Sequence, residues 1–237
     1  ALTIDTDGTK LYDDGEKKTW KELFKKFAVE KDVEPGRIGI IGATPLEFGG
    51  IYEEDFLKKY FAEKSFSKVV CYGMGDGLDA VREAAAAEKN IVVSPAGIAA
   101  AKYLQQKFGT PYELFCPPEI IPEWKEKKEQ VAGLLNVEEL SEKKILIVHQ
   151  QVLANTLREE FISANINVAS WFMMNKEQKK EQDILFKEED DWITYIKENE
   201  YDIIIADPLL KKAVPFYKGE WYDLPHFAIS GKKRQSV

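Results

Sequence analysis

Three short turns carry the residues whose types and spacing suit ligand chemistry. They are Gly42-Ala43-Thr44-Pro45, Gly73-Met74-Gly75-Asp76-Gly77 and Ser94-Pro95-Ala96-Gly97. Each follows a short apolar run and opens a stretch of helical period. Such a turn directs backbone amides from a helix N-terminus toward the end of a strand, a setting that favours an anion or an electron-rich ligand. Gly42, Thr44, Gly73, Gly75, Ser94 and Gly97 are therefore candidate ligand-binding residues. Thr44 and Ser94 are also candidate N-caps, each with proline at the first helical position. Turn formation alone explains any one of these segments, and only convergence on one edge makes a site. Gly73-x-Gly75-x-Gly77 is not the spacing of a dinucleotide fingerprint, and no acidic residue closes the next strand.

The second half of the chain offers His149, Gln150, Asn175, Asp207 and Ser230 at the ends of apolar runs. His149 and Asp207 are the candidates there. Their plainest roles are a hydrogen-bonded imidazole near a core and an N-cap. His226 sits between Pro225 and Phe227 in an expected strand, and its plainest role is the same as that of His149. Cys71 and Cys116 read as small buried apolar side chains. The chain has neither CxxC nor closely spaced Cys and His, so no self-contained metal site is read. No Ser-His-Asp order or carboxylate pair identifies catalytic residues.

The elements that must position these residues follow from hydrophobic period. Leu2 to Ile4 suggests a short strand. Thr19-Trp20-Lys21-Glu22 fits a capping box, with a helix to about Glu30. Glu34-Pro35-Gly36 reads as a turn. Strands are expected at Arg37–Ile41, Lys68–Tyr72, Ile91–Val93 and Tyr112–Cys116. Helices are expected around Asp55–Glu63, from Leu78 to about Glu88, and from the exposed turn at Ser94 to Gly109. The alternation argues for a parallel sheet flanked by helices. In open α/β sheets ligands sit at the carboxyl ends of such strands. Glu119 to Glu142 is charged and helical in period, with Ile121, Trp124, Val131, Leu134 and Leu135 apolar, and reads as a bridging helix. A second alternation follows. Strands are expected at Ile145–Val148, Val168–Phe172, Tyr201–Ile205 and Phe227–Ile229, and helices at Gln151–Ala164, Asp190–Asn199 and Asp207–Val214. Asn175 to Lys187 reads as a polar loop or short helix, and Lys232 to Arg234 as a basic tail. The fold class is α/β with two Rossmann-like αβα domains. Their spans are residues 1–118 and 143–237, with 119–142 between them and a ligand cleft shared by the two.

The 237 residues include 13 Phe, 10 Tyr and 5 Trp, enough to build a substantial core. A net charge of −8 provides no basic field for nucleic acid or an anionic membrane surface. No apolar run approaches the ~20 residues of a membrane span. Without a signal-peptide pattern or a disulfide framework, the cytoplasm is the expected compartment.

Six segments in order resemble nitrogenase component 1-type oxidoreductases. They are Arg37–Leu46, Asn90–Ser94, Phe108–Tyr112, Gln151–Arg158, Ile204–Leu209 and Leu224–Gly231. The resemblance implies a fragment, the central and C-terminal domains of a subunit with three similar αβα domains. It implies a homologous partner subunit, in a homo- or heterodimer, and an ATP-dependent iron–sulfur reductase that delivers electrons. It also implies an iron–sulfur cluster in the full-length protein, with most of its cysteines in an N-terminal domain outside this chain. Where cofactor-carrying subunits bear a cluster cysteine, this chain has Ser94, a poor ligand for a soft cluster. The family's C-terminal histidine ligand is not matched by His226, which lies in a different local motif. The implied function is electron transfer to a small or tetrapyrrole-like substrate rather than nitrogen reduction. The alternative is a non-redox scaffold or binding protein for a small anionic or metal-containing ligand.

Overall fold

A computed structural model describes residues 2–5, 11–49, 53–122, 124, 143–161 and 165–231. The chain divides into two compact units, one running to Cys116 and the other beginning at Pro117.

In the first unit, α1 (Tyr12–Phe27) precedes β1 (Glu34–Ile41), α2 (Pro45–Phe48), α3 (Glu53–Ala62), β2 (Lys68–Cys71), α4 (Leu78–Arg82), β3 (Ala87–Val92), α5 (Ile98–Phe108) and β4 (Tyr112–Leu114). The four strands are parallel, in the order β2-β1-β3-β4. Strand side chains alternate between faces. Ile41, Val70, Tyr72 and Val92 therefore share one face and pack with Trp20 and Phe24 of α1, Val81 of α4 and Leu104 of α5. Ile40, Cys71 and Ile91 turn to the other face, and α3 lies beside β2 with Leu57 and Phe61 buried.

Several expectations are corrected here. Residues 2–5 form no strand. The capping box at Thr19 is not used, because α1 begins two turns earlier at Tyr12 and Thr19 is an exposed mid-helix residue. Asp13 is buried in the added turns, and Asp13 and Asp14 in the first turn of α1 and Lys25 and Lys26 in its last complement the macrodipole. Gly36 is left-handed (φ +77°) but lies inside β1, where the β1–β3 register shifts. The expected helix from Leu78 stops at Arg82. Ala84–Ala86 forms a buried 3₁₀ turn and Ala87 already pairs with Glu34. Burial against the sheet overrides the helical preference of the alanines. Gly109 ends α5 in the left-handed conformation, as expected.

The second unit contains β5 (Lys144–Val148), α6 (Gln151–Glu160), β6 (Asn165–Ser170), β7 (Ile184–Leu185), α7 (Glu189–Glu198), β8 (Ile203–Ala206), α8 (Pro208–Ala213), β9 (Glu220–Asp223) and α9 (Phe227–Ser230). Its five strands are also parallel, in the order β7-β6-β5-β8-β9. Trp192, Phe186, Tyr201 and Ile204 lie in its aromatic-rich core. Arg158 of α6 reaches Asp183 with both terminal nitrogens, at 2.6 and 3.1 Å, and the Asp183 carboxylate also accepts the amides of Val168 and Lys180. This buried pair ties α6 to β6 and to the loop before β7.

Two expectations fail in this unit. Phe227–Ile229 is a helical turn rather than a strand, because the His226 ring accepts the Ala228 amide and starts a helix after Pro225. The fifth strand is instead Glu220–Asp223, which the sequence reading missed. It is a half-exposed edge strand, so it lacks a strong apolar signature. The Asn175–Lys187 segment contains the short strand β7 within turns. Most of the expected bridging helix, including Val131, Leu134 and Leu135, and the basic tail at 232–234 lie outside the described residues. Ile121 and Trp124 are buried.

Candidate functional site

Parallel pairing brings the carboxyl ends of β1, β2 and β3 to one edge of the first unit. Ile40 stands opposite Cys71, and Ile41 opposite Val92. The turns holding Gly42 and Thr44, Gly73 and Gly75, and Ser94 and Gly97 all follow on that edge. The first and third turns touch. Ser94 Oγ donates a hydrogen bond to the Gly42 carbonyl at 2.7 Å. Gly42 is left-handed (φ +89°), and a Cβ there would stand 2.5 Å from Ser94 Oγ. A Cβ on Gly97 would lie 3.0 Å from the Ile41 carbonyl oxygen.

The structure changes the meaning of both cap residues. Ser94 and Thr44 occupy the position before a helical turn, but neither side chain caps it. The Ser94 hydroxyl is committed to Gly42 instead. The Ser94–Gly97 turn is buried rather than exposed, because α1 packs across it. The middle turn is also closely packed. Gly73 is left-handed, and a Cβ there would meet the Trp20 ring. Asp76 accepts the Cys71 amide at 2.8 Å and pairs with Lys58 at 2.9 Å.

On the same edge, α1 and α2 bring together acidic residues that the sequence reading missed. Tyr12 Oη donates to Glu47 Oε1 at 3.1 Å, and both Asp13 and Glu47 are buried. Burial pushes the Glu47 carboxyl up to about 7, although the Tyr12 hydrogen bond favours its charged form. Burial, together with the Glu47 charge, pushes Glu16 up to about 7 as well. The Tyr12 hydroxyl is raised by burial and by the neighbouring carboxylates. The only sequence signal is the i, i+4 spacing of Tyr12 and Glu16. Glu47 comes from another element and is unrelated to them by spacing.

In the second unit the candidates His149 and Asp207 follow β5 and β8, adjacent parallel strands. Asp207 caps α8 as expected, accepting the Leu209 amide at 2.8 Å, and its other oxygen accepts the His226 amide at 2.9 Å. The His226 ring lies 4.7 Å from that of His149 and stacks on Phe172 at 4.1 Å. His226 Nδ1 accepts from Ala228, so its proton resides on Nε2. His149 Nε2 faces the Pro225 carbonyl at 3.4 Å, a contact in which only the ring nitrogen can donate. The structure thus joins two candidates through a third residue, His226, which the sequence reading had placed in a strand. Elsewhere on this edge, Gln150 caps α6, the Gln151 side chain exchanges two hydrogen bonds with the Asn175 backbone, and Ser230 Oγ donates to the His226 carbonyl.

The residues can now be tested against an iron–sulfur cluster. Cys71 and Cys116 are both buried. Burial pushes the Cys71 thiol up to about 12. Among the described residues no group of three or more His, Cys, Asp or Glu is placed to hold a metal ion. The described residues therefore do not supply a cluster's ligand set.

Residues 8–169 match the family described as nitrogenase component 1 type oxidoreductase. The chain belongs to this family. Among solved structures, nitrogenase Cp1 at pH 6.5 is similar, with a TM-score of 0.60 and 12% identity, over 90% of this chain and 58% of that one. Nitrogenase Cp1 at pH 5 is similar with a TM-score of 0.56 and 11% identity, over 93% and 58%. The chain thus spans 58% of the length of the solved nitrogenase chains it matches. No curated protein sequence matches it. At this identity the likeness to nitrogenase Cp1 establishes the α/β architecture with parallel sheets. Among the described residues, no helix of this nitrogenase component 1-type chain is long and apolar enough to cross a membrane.

Proposed function

We propose that this chain is the part of a nitrogenase component 1-type subunit that frames a redox site without supplying its thiolates. The subunit takes part in iron–sulfur-dependent electron transfer to a small or tetrapyrrole-like substrate other than dinitrogen. A homologous subunit and an ATP-dependent iron–sulfur reductase are its partners. The observation that carries this reading is family membership over residues 8–169, taken with the lack, among the described residues, of any group of three or more His, Cys, Asp or Glu placed to hold a metal ion. In the first unit, the frame is the edge where Gly42 and Ser94 lock two turns together.

The test is anaerobic preparation of the whole protein with its partner subunit, followed by iron analysis, electron paramagnetic resonance and turnover with the reductase. Bound iron and reductase-dependent signals are expected. A complex that is free of iron and indifferent to the reductase refutes the proposal. A second reading, a non-redox binding protein for a small anionic or metal-containing ligand, is favoured by the commitment of the Ser94 hydroxyl to the Gly42 carbonyl. Thermal-shift titrations with tetrapyrroles, metal complexes and nucleotides separate the two. Stabilisation of an iron-free protein supports the second reading, and no shift with any of them counts against it.

A further inference from the structure

The interior of the first unit contains a polar group of side chains that the proposed function does not use. Gly39, in the middle of β1, stands beside Val70 of β2 and Asn90 of β3. Because Gly39 has no side chain, the Tyr72 ring leans back along the sheet into the space above it. A Cβ at Gly39 would stand 2.7 Å from Tyr72 Oη and would collide with Asn90 Oδ1. Tyr72 Oη and the Asn90 amide therefore converge on the same point. Arg37 lies on the same face, two residues earlier on β1. Its terminal nitrogens reach Glu34 and Glu83 at 3.0–3.3 Å.

All three side chains are sealed from solvent, at 0–1% exposure for Tyr72, Asn90 and Arg37. The Phe24 ring closes over Tyr72 edge-on at 5.0 Å. Yet Tyr72 Oη, both polar atoms of the Asn90 amide and Arg37 Nε make no hydrogen bond to another group of the protein. A buried polar atom left this way carries its full desolvation penalty, and the large majority of buried side-chain polar atoms in native interiors have a partner, protein or water. Tyr72 Oη and the Asn90 amide meet at Gly39, with Arg37 Nε on the same face of the sheet, and together they call for a polar partner.

The donor and acceptor inventory identifies it. Asn90 needs a donor for its carbonyl and an acceptor for its NH₂. Tyr72 can serve as either, and Arg37 Nε can only donate. An anion would satisfy the donors and leave the Asn90 carbonyl facing negative charge. A cation would oppose Arg37. Water both donates and accepts, and two to four partners are typical of buried water. We propose that Tyr72 and Asn90, whose side chains take up the space beside Gly39, form with Arg37 on the same face a permanent internal water site in the first unit.

The test is a high-resolution crystal structure of the full chain in which ordered water is placed. It is accompanied by water–protein nuclear Overhauser measurements in solution and by a bromide soak. An ordered water within hydrogen-bond distance of Tyr72 Oη and the Asn90 amide, with water cross-peaks to their protons, is expected. A direct Tyr72–Asn90 hydrogen bond, a dry site, or an anomalous bromide peak there overturns the proposal. Tyr72→Phe, Asn90→Leu and the double variant give an independent readout by urea midpoint. Each single change leaves the water short of a partner, so the double variant should shift the midpoint by less than the two singles combined. Strictly additive shifts also overturn the proposal.

Discussion

The carboxyl of Glu47 should make the stability of the first unit depend on pH near neutrality. Its side chain is 4% exposed, and burial displaces its ionisation from 4.5 to about 7. At about 1.36 kcal/mol for each pH unit, that displacement amounts to about 3 kcal/mol. The direction follows from linkage. The folded state holds this proton more tightly than the unfolded chain between pH 4.5 and 7. Stability from Glu47 is therefore full below that window, falls as pH rises through it, and is gone above about 7. Glu47→Gln keeps the shape of the protonated acid and removes the titration. Urea unfolding from pH 4.5 to 8, followed by tryptophan fluorescence, should show the wild type losing stability relative to Glu47→Gln by up to about 3 kcal/mol. Carboxylates that do not feel Glu47 titrate in both proteins and drop out of the difference, whereas Glu16, which the Glu47 charge raises, adds to the wild-type change in the same pH window. A difference that is flat across this range would mean that Glu47 is ionised in the folded protein, and the account of the α1–α2 contact would fail.

Other changes probe the remaining joints. Gly42→Ala forces a β-carbon into the left-handed region and against Ser94 Oγ, and should cost more than the roughly 1–2 kcal/mol of the backbone term alone in thermal melts. Ser94→Ala leaves the buried Gly42 carbonyl without its donor and should cost roughly 1–3 kcal/mol, whereas Ser94→Thr, if accommodated, should recover part of it. Arg158→Ala strands the buried Asp183 carboxylate and should destabilise the second unit by roughly 3–5 kcal/mol in urea titrations. Asp207→Ala removes the α8 cap and the clamp on the His226 amide, a loss of about 2 kcal/mol, accompanied by faster exchange of the Leu209 and His226 amide protons.

Local sequence determined what local physics governs. The runs at Ile38–Ile41, Ile91–Val93 and Ile145–Val148 specify strands buried on both faces, and their spacing specifies parallel sheets. Asp207-Pro208 and Gly109 mark a helix start and a helix stop by side-chain and backbone chemistry that acts within a few residues. Where a signal competed with long-range packing, it lost. The Thr19 capping box sits inside α1, and the alanines at 84–87 become a 3₁₀ turn and a strand. The candidate sites divide in the same way. The six turn residues of the first unit are legible because glycine, serine, threonine and proline have few local uses. Tertiary structure alone decided that Ser94 bonds Gly42 across 52 positions, that Glu47 meets Tyr12, and that His149 lies beside His226. Each of those contacts joins elements whose separation along the chain carries no information about their separation in space.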